Sequence, residues 1–372
     1  MDFPSYWGIP RYSQATTAPT RFKLKEIKVR GVGMKLLKVL HGEPIWPPPV
    51  WLMRQAGRYL PEYLALRQQA GDFLSLCLNP ELAAEVTLQP IRRYGFDAAI
   101  LFSDILILPM ALGQGLTFAQ GEGPLLPPLQ DVSILDPLAA PARYAPVMET
   151  VHRARAMLPD ETALIGFAGA PATVACYMLD GKGGGFHRTR ALAYENPSFF
   201  TALLDILVES TIAYLQAQLN AGANCVMLFE SWAGIFPPEQ FRNFVISPTR
   251  RIVTALKTNT PDAKIIGFPR LSGLLLGEYA RQTEVDAVGL DSVTDLPTAI
   301  AACPQNTVFQ GNLDPLLLKV GGSALDEAVL RLLGQCRGRP HIFNLGHGIT
   351  PDVPPENVAR LMNVIRDACS GL

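Results

Sequence analysis

The chain has 372 residues, of which 48% are hydrophobic, so it can bury a large core. Its 32 basic and 33 acidic residues leave a net charge of −1, which gives no overall field to attract nucleic acid or a membrane surface. The six cysteines lie apart without a Cys-x-x-Cys pair, which disfavours a disulfide scaffold or zinc ribbon and predicts reduced thiols in the cytoplasm. The longest apolar stretch, residues 98–112, is too short for a membrane span.

Residues 1–33 differ from the rest of the chain. They contain three prolines and a basic segment at 21–30, but no apolar region of the kind that a secretory signal needs. Met34 begins an amphipathic segment typical of a natural N-terminus. We therefore predict that residues 1–33 are a disordered or non-native extension and that residues 34–372 form one domain.

Short, mostly apolar runs bounded by turn or polar residues are typical of strands that are buried on both faces. The eight predicted strands are 50–53, 98–103, 163–167, 225–229, 264–268, 287–290, 307–310 and 341–344. Apolar residues at spacings of three and four indicate helices between them, as in 80–94, 197–221 and 323–336. This alternation predicts an α/β fold with a parallel sheet, and eight units predict a single-domain (β/α)₈ TIM barrel. A doubly wound open sheet is the alternative, although no dinucleotide-binding glycine fingerprint follows the first strand.

In such a barrel, the functional side chains follow the C-terminal ends of the strands. The first predicted strand ends on Arg54, and Arg58 comes four residues later, with Gly57 leaving room for a ligand between them. Two guanidinium groups suit bidentate capture of carboxylates or phosphates. Alternatively, this segment is the first turn of a surface helix in which Arg58 pairs with Glu62. Gly57 and Pro61 disfavour that alternative, since both are poor residues inside a helix.

Asp104 follows the second predicted strand and has apolar neighbours on both sides. A carboxylate in apolar surroundings is costly unless it is paired, so Asp104 is a candidate to meet N–H donors or a developing cation on a ligand. Asp104 or Ser103 could instead cap the helix that follows.

Polar side chains also follow the later strands, although loops are polar in any protein. Tyr177 could donate a hydrogen bond or simply pack, and the glycine-rich segment 181–185 lacks the P-loop order and is more typical of a flexible lid. Ser231 has no Gly-x-Ser-x-Gly elbow, so we predict a hydrogen-bond donor and not a nucleophile. His347, between two glycines, could be a ligand-binding or a structural residue, and the histidines have no metal-ligand spacing, so no metal site is predicted. The other polar positions after predicted strands are Glu230, Arg270, Asp291, Asn312 and Asp314.

Several separate blocks resemble the uroporphyrinogen decarboxylase family, and the similarity extends from about Leu36 to the C-terminus. The first is Met-Arg-Gln-Ala-Gly-Arg-Tyr-Leu-Pro-Glu-Tyr at 53–63, and the others are 94–106, 166–171, 229–234, 310–315 and 344–348. The resemblance implies a (β/α)₈ barrel in tetrapyrrole (haem) biosynthesis, usually a homodimer, that works without metal or organic cofactor. It implies removal of the four acetate carboxyl groups of uroporphyrinogen III, giving coproporphyrinogen III and CO₂.

The resemblance also implies roles for single residues. Asp104 would accept hydrogen bonds from the pyrrole N–H groups and stabilise a ring-protonated cation. An ion pair between Asp104 and this cation at about 4 Å, with an effective dielectric of about 20, would stabilise the transition state by about 4 kcal/mol, or about a thousandfold in rate. An arginine is a poor acid, so Arg54 could position the acetate or hold a water, and the proton donor stays open. The catalytic residues are thus predicted to be Asp104 and Arg54, and the substrate-binding residues Arg54, Gln55, Ala56, Gly57, Arg58, Asp104, Tyr177, Ser231 and His347.

The chain departs from the common family pattern at Ala172, at Ser292 and in the loops 180–185 and 269–272, which concerns the shape of the mouth more than the reaction. A zinc-dependent corrinoid or thiol methyltransferase of the same superfamily is one alternative, but the His-x-Cys pair of its zinc site is missing. A non-catalytic tetrapyrrole binder is another, and it would not need Asp104. The expected protein is a cytoplasmic homodimeric decarboxylase that binds neither nucleic acid nor a membrane.

Overall fold

A computed structural model describes residues 33–119 and 123–370. The prediction of a disordered or non-native extension at 1–33 therefore lies, except for Gly33, outside the described residues and stays a prediction.

Parallel strands form the centre of the fold. The strands are β1 Ala98–Ile100, β2 Thr117–Ala119, β3 Gly123–Leu125, β4 Ala163–Gly169, β5 Cys225–Glu230, β6 Ile265–Pro269, β7 Ala287–Gly289, β8 Val308–Leu313 and β9 His341–Leu345. Seven of them make one parallel sheet in the order β1-β4-β5-β6-β7-β8-β9, and β2 pairs with β3 in an antiparallel hairpin. The predicted α/β fold with a parallel sheet is confirmed, and its seven strands overlap the second to eighth predicted ones. The hairpin was not predicted, since β3 contains a glycine and a proline, which are uncommon in strands.

The first predicted strand, 50–53, is present as one parallel bridge between Val50 and Phe343 of β9. Phe343 also accepts a hydrogen bond from Trp51 N at 3.3 Å and donates one to Pro49 O at 2.9 Å. On the other side, Asp97 N donates to Val50 O at 2.9 Å, immediately before β1. The segment thus lies between the two edge strands of the seven-stranded sheet.

Helices connect the strands and cover the sheet. They are α1 Lys35–Leu40, α2 Pro61–Ala70, α3 Phe73–Cys77, α4 Pro80–Tyr94, α5 Ile107–Ala111, α6 Ala140–Met157, α7 Pro171–Asp180, α8 His187–Glu195, α9 Pro197–Ala221, α10 Pro238–Gln240, α11 Ser247–Asn259, α12 Leu276–Thr283, α13 Leu296–Ala302, α14 Leu316–Val320, α15 Gly322–Cys336 and α16 Pro355–Ser370. The predicted helices 80–94 and 197–221 match α4 and α9, because each begins with proline at its first position after an asparagine whose side chain caps the helix.

The covering helices explain the composition of the strands. β4 is buried at all seven positions, since helices pack on one side of the sheet and side chains of other strands on the other. By length and composition, one helix within the described ranges, α9, could cross a bilayer, and half of its apolar window is buried inside the fold.

Candidate active site

The loop after the Val50 segment is held by Gln55. This side chain is fully buried, with its Oε1 accepting from Leu52 N at 3.0 Å and its Nε2 donating to Ala98 O of β1 at 3.2 Å. Tyr59 donates its hydroxyl hydrogen to Gln55 O at 2.8 Å. The Gln55 side chain, predicted to bind substrate, is thus engaged within the chain itself and anchors the loop that carries the two arginines.

Arg54 and Arg58 are both exposed, and neither forms an ion pair with another of the described residues. Ala56 and Gly57 lie partly exposed between them. The alternative of a surface helix is wrong, because α2 begins only after Arg58 and Glu62 pairs with Arg93 at 3.1 Å. Two uncompensated guanidinium groups at the end of a buried segment suit an anionic ligand.

Arg54 lies across the loop that follows β9. Its φ is +59°, a left-handed conformation that is uncommon for a residue with a side chain. A Cβ atom built on Gly348 would lie 2.6 Å from Arg54 Cγ and 2.9 Å from its Nε. Since His347 precedes this glycine, the fold brings Arg54 and His347 together from opposite ends of the sequence.

Asp104 is partly buried, and its Oδ1 accepts from Leu106 N at 2.8 Å just before α5. Helix α5 has no side-chain cap, since Leu106 is its N-cap residue, so the capping alternative is wrong and the Asp104 contact is a local turn. The other oxygen, Oδ2, receives no hydrogen bond from the described residues. Burial raises the pKa of Asp104, and the Leu106 amide and the charge of Arg54 oppose that rise. One carboxylate oxygen remains available to a ligand.

Tyr177 and His347 lie within the field of Arg54. Burial raises the pKa of the Tyr177 phenol, which Trp232 and Arg54 lower and Asp104 raises further. Burial lowers the pKa of His347 to about 4, and the charges of Arg54 and Arg270 add to that effect. His347 is therefore neutral at pH 7 and can donate one hydrogen bond and accept another. The Arg54 charge thus acts on three of the predicted site residues, which the structure brings into one neighbourhood.

Ser231 directly follows β5 and is partly buried. No hydrogen bond of its hydroxyl to another described residue is formed. Its neighbour Glu230 is fully buried, and its Oε1 accepts from Thr173 N at 2.6 Å and from the Thr173 hydroxyl. Sequence reasoning placed Glu230 at a strand end without a role, since its partner is 57 positions away. The carboxylate closing an apolar strand was the available signal.

Three further polar positions have their side chains engaged in holding loops. Asp291 accepts from Leu271 N at 2.6 Å and from Val293 N at 3.1 Å. Asn312 donates to Asp291 O at 2.7 Å, and Asp314 accepts from Leu316 N at 3.0 Å. These contacts shape the loops after β6, β7 and β8.

Metal clusters and surface hollows are the other features that could mark a functional centre in the described part of the chain. No group of three or more His, Cys, Asp or Glu side chains there is arranged to hold a metal ion. Two hollows of about 650 and 610 Å³ lie elsewhere and contain none of the predicted site residues.

A family model described as uroporphyrinogen decarboxylase (URO-D) matches residues 34–368. A uroporphyrinogen decarboxylase of Acidiphilium cryptum is 58% identical over 335 residues, which are 89% of this chain and 93% of the relative. One of Granulibacter bethesdensis is 56% identical over 337 residues, with 89% and 98% covered.

Among solved structures, a methyltransferase from Methanosarcina mazei superposes with a TM-score of 0.74 at 20% identity, covering 90% of this chain and 98% of that one. A putative vitamin-B12-independent methionine synthase from Listeria monocytogenes superposes with a TM-score of 0.52 at 12% identity, covering 87% and 98%. At these identities the likeness concerns the fold alone.

Proposed function

The chain belongs to the uroporphyrinogen decarboxylase family, and we propose that it removes the four acetate carboxyl groups of uroporphyrinogen III to give coproporphyrinogen III. It is a carboxy-lyase of porphyrin (haem) biosynthesis. The observation that carries the proposal is the position of Arg54, which lies against Gly348 beside His347 and whose charge also lowers the pKa of Asp104 and Tyr177.

The substrate has eight carboxylates around four pyrrole N–H groups, and the site has cationic donors for the carboxylates and an anionic acceptor for the N–H groups. Arg54 and Arg58 have no competing ion pair among the described residues and can bind carboxylates through charge-assisted hydrogen bonds. Ser231, Tyr177 and neutral His347 add hydrogen-bond donors without adding charge. The carboxylate of Asp104 is the acceptor for the pyrrole N–H groups.

Asp104 has the central role in the chemistry. A proton adds to the pyrrole carbon beside the acetate chain and makes the ring cationic. The bond from the methylene carbon to the carboxylate then breaks, its electron pair moves into the ring, and CO₂ leaves. Protonation of the exocyclic carbon and loss of the ring proton leave a methyl group, so each acetate consumes one proton. Asp104 stabilises the cation by about 4 kcal/mol if the two charges come within about 4 Å at an effective dielectric of about 20.

The residues can perform this reaction without a metal or organic cofactor, because the protonated ring itself accepts the electron pair. A guanidinium group is too weak an acid to be the proton donor. Arg54 instead holds the reacting acetate or a water molecule beside the ring.

We also propose that the Val50 segment closes the sheet into an eight-stranded (β/α)₈ barrel. Asn224 N donates to Leu164 O at 2.8 Å, and Asn224 Oδ1 accepts from Leu164 N at 2.8 Å, which joins β4 to β5. Asp97 makes the same two contacts with Val50, each at 2.9 Å. Together with the bridge from Val50 to Phe343, this pattern supports Val50 as the strand between β9 and β1.

A homodimer is proposed on an apolar surface beside the site, formed by Leu271, Leu274 and Val293. Leu274 is fully exposed and Val293 is 78% exposed. Leu271 takes a left-handed φ of +60°, and buried Asp291 binds the amides of Leu271 and Val293, so the fold holds these side chains outward. We expect Leu274→Asp to shift the protein to a monomer in light scattering coupled to size-exclusion chromatography. A dimer of unchanged stability would place the interface elsewhere.

The cytoplasm is the proposed location, supported by the cysteines with described side chains, which are buried and unpaired. No binding of nucleic acid or of a membrane is proposed.

Product analysis tests the function. Purified protein is incubated with reduced uroporphyrinogen III in the dark, without oxygen, with a chelator and no added cofactor, and the porphyrins are separated after oxidation. Stepwise loss of four of the eight carboxyl groups is expected. Bound but unchanged substrate would favour a tetrapyrrole binder. Activity that appears only with zinc and a thiol methyl acceptor would favour the methyltransferase whose fold the chain shares.

A further inference from the structure

The side chain of Glu230, at the end of β5, caps the N-terminus of helix α7. The first turn of an α-helix has amide hydrogens without partners, and the helix dipole favours an anion there. At α7 the preceding residue is Ala170, which has no side-chain acceptor. Glu230 of β5 supplies the acceptor for Thr173 N at 2.6 Å, and the Ala172 amide also lowers the pKa of its carboxyl.

Thr173 links this cap to the loop that carries Ser231. The Thr173 hydroxyl donates to Glu230 Oε1 and accepts from Trp232 N at 3.1 Å. Both residues that flank Ser231 are therefore tied to one side chain of α7. We call Glu230, Thr173 and the Trp232 amide the β5–α7 clamp.

The clamp also determines where Tyr177 lies. Tyr177 is four residues after Thr173 on α7, so both side chains lie on the same face of the helix. Its ring packs edge-on against Phe186 with centroids 5.6 Å apart, and Phe186 packs against the Trp232 ring at 4.7 Å. The segment around Ser231 and helix α7 are thus joined twice, by the hydrogen bonds of Thr173 and by the aromatic contacts through Phe186.

We infer that Glu230 is a positioning residue, which through Thr173 holds Ser231 and Tyr177 at the separation that binding of the substrate carboxylates requires. The inference rests on the proposed function, because that function assigns the two hydroxyl groups to the substrate.

The burial of Glu230 is unfavourable for folding. The residue is fully buried, and its second oxygen, Oε2, has no hydrogen-bond partner among the described residues. Burial raises its pKa to about 7 against the opposing effect of the Thr173 hydrogen bonds. A buried carboxyl with an unpaired oxygen costs free energy of folding, and positioning two ligand-binding residues gives a reason for its presence.

A pair of substitutions at Thr173 tests the inference. Thr173→Val keeps the shape of the side chain but removes the hydroxyl, so we expect KM for uroporphyrinogen III to rise about tenfold while kcat stays within about threefold. Thr173→Ser keeps the hydroxyl and should restore KM to within about twofold. Thr150→Val is the matched control, because Thr150 is a buried threonine of α6 whose hydroxyl, among the described residues, binds Pro146 O alone, at 3.0 Å. Its KM should equal that of the wild type.

A combination with the two positioned residues separates positioning from a general loss of packing. In a Ser231→Ala/Tyr177→Phe background, adding Thr173→Val should change KM by less than about twofold, because the groups it positions are gone. A further tenfold rise in that background would overturn the inference.

Hydrogen exchange of the Trp232 amide reports on the clamp without substrate. We expect faster exchange in Thr173→Val and in Glu230→Leu, and wild-type exchange in Thr173→Ser. Equal exchange in all four proteins would overturn the clamp whatever the activity. If the wild-type protein does not decarboxylate the substrate but the exchange pattern holds, the proposed function fails, and with it the role in substrate binding, while the clamp stands.

Discussion

At the N-terminal edge of the sheet, Asp97, Asn224 and Asp286 each precede a strand, and the side chain of each accepts a hydrogen bond from a backbone amide of the segment beside it, at 2.8–2.9 Å. At the C-terminal edge, Asp104 binds one nearby amide and keeps its second oxygen without a partner in the described chain. Arg54, at the C-terminal edge, likewise has no ion pair with another described residue. The same residue types thus hold the strands together at one edge and remain available at the other, which is where a (β/α) enzyme binds its substrate.

Asp104→Asn is expected to give the largest effect, and it tests the C-terminal edge of the sheet, where polar side chains are free to bind a ligand. The amide cannot stabilise a ring cation, so kcat should fall about a thousandfold, or about 4 kcal/mol in the barrier. Because burial raises the Asp104 pKa, loss of the charge should leave stability at pH 7 unchanged or higher. Turnover is measured by porphyrin separation and stability by urea denaturation. Wild-type turnover would remove Asp104 from the mechanism.

The pH dependence of stability tests the N-terminal edge, where His341 begins β9 and contacts Gly311 O at 2.8 Å. Burial lowers the His341 pKa from 6.5 to about 4, so the folded state binds its proton less tightly than the unfolded state does. Its contribution to stability is complete above pH 6.5 and is lost as the pH falls through 4, in total about 3 kcal/mol. His341→Gln should flatten the fall in unfolding free energy between pH 6.5 and 4.

Glu230 acts in the opposite direction over part of this range. Its pKa is raised from 4.5 to about 7, so the wild type loses stability as the pH rises between these values. Glu230→Gln should therefore steepen the loss on acidification, and a curve unchanged in both variants would contradict both assignments.

Asp286→Ala should lower stability and leave catalysis intact, the reverse of Asp104→Asn. Asp286 accepts from Ile265 N at 2.8 Å and pairs with Lys257 at 3.3 Å and Lys264 at 3.5 Å. Removing it leaves a strand amide unpaired, which costs about 2 kcal/mol. Urea denaturation measures the loss. A kcat/KM below about half of the wild-type value at a temperature where the variant is folded would mean that the two edges are not separable.

Gly348→Ala gives the smallest expected effect, and it tests whether the position of Arg54 at the C-terminal edge matters for binding. The new methyl group would displace the flexible Arg54 side chain, so KM should rise about tenfold with little change in stability. Gly334→Ala is the control, because a Cβ there meets nothing within 4 Å and alanine favours the helix α15. An unchanged KM for Gly348→Ala would show that the place of Arg54 is not critical for binding.

Much of the fold was predictable because its signals are local. The strands are apolar runs ended by polar residues, and the bounds of α4 and α9 follow from asparagine caps and first-turn prolines. The Val50 segment was visible in the sequence only as an apolar run, since its bridge partner Phe343 lies near the other end of the chain. For the site, Arg54, Arg58 and Asp104 could be predicted as candidates because each follows a predicted strand.

The sequence by itself determined the order of the parallel strands, the family, and the residues that could bind an anion. Only the tertiary structure decided which of these side chains are free. Gln55 and Asp291 are engaged in holding loops, whereas Arg54 lies open across Gly348. Spacing along the chain could not separate them, because a polar group is satisfied by partners that folding brings from distant segments, as Thr173 is brought to Glu230.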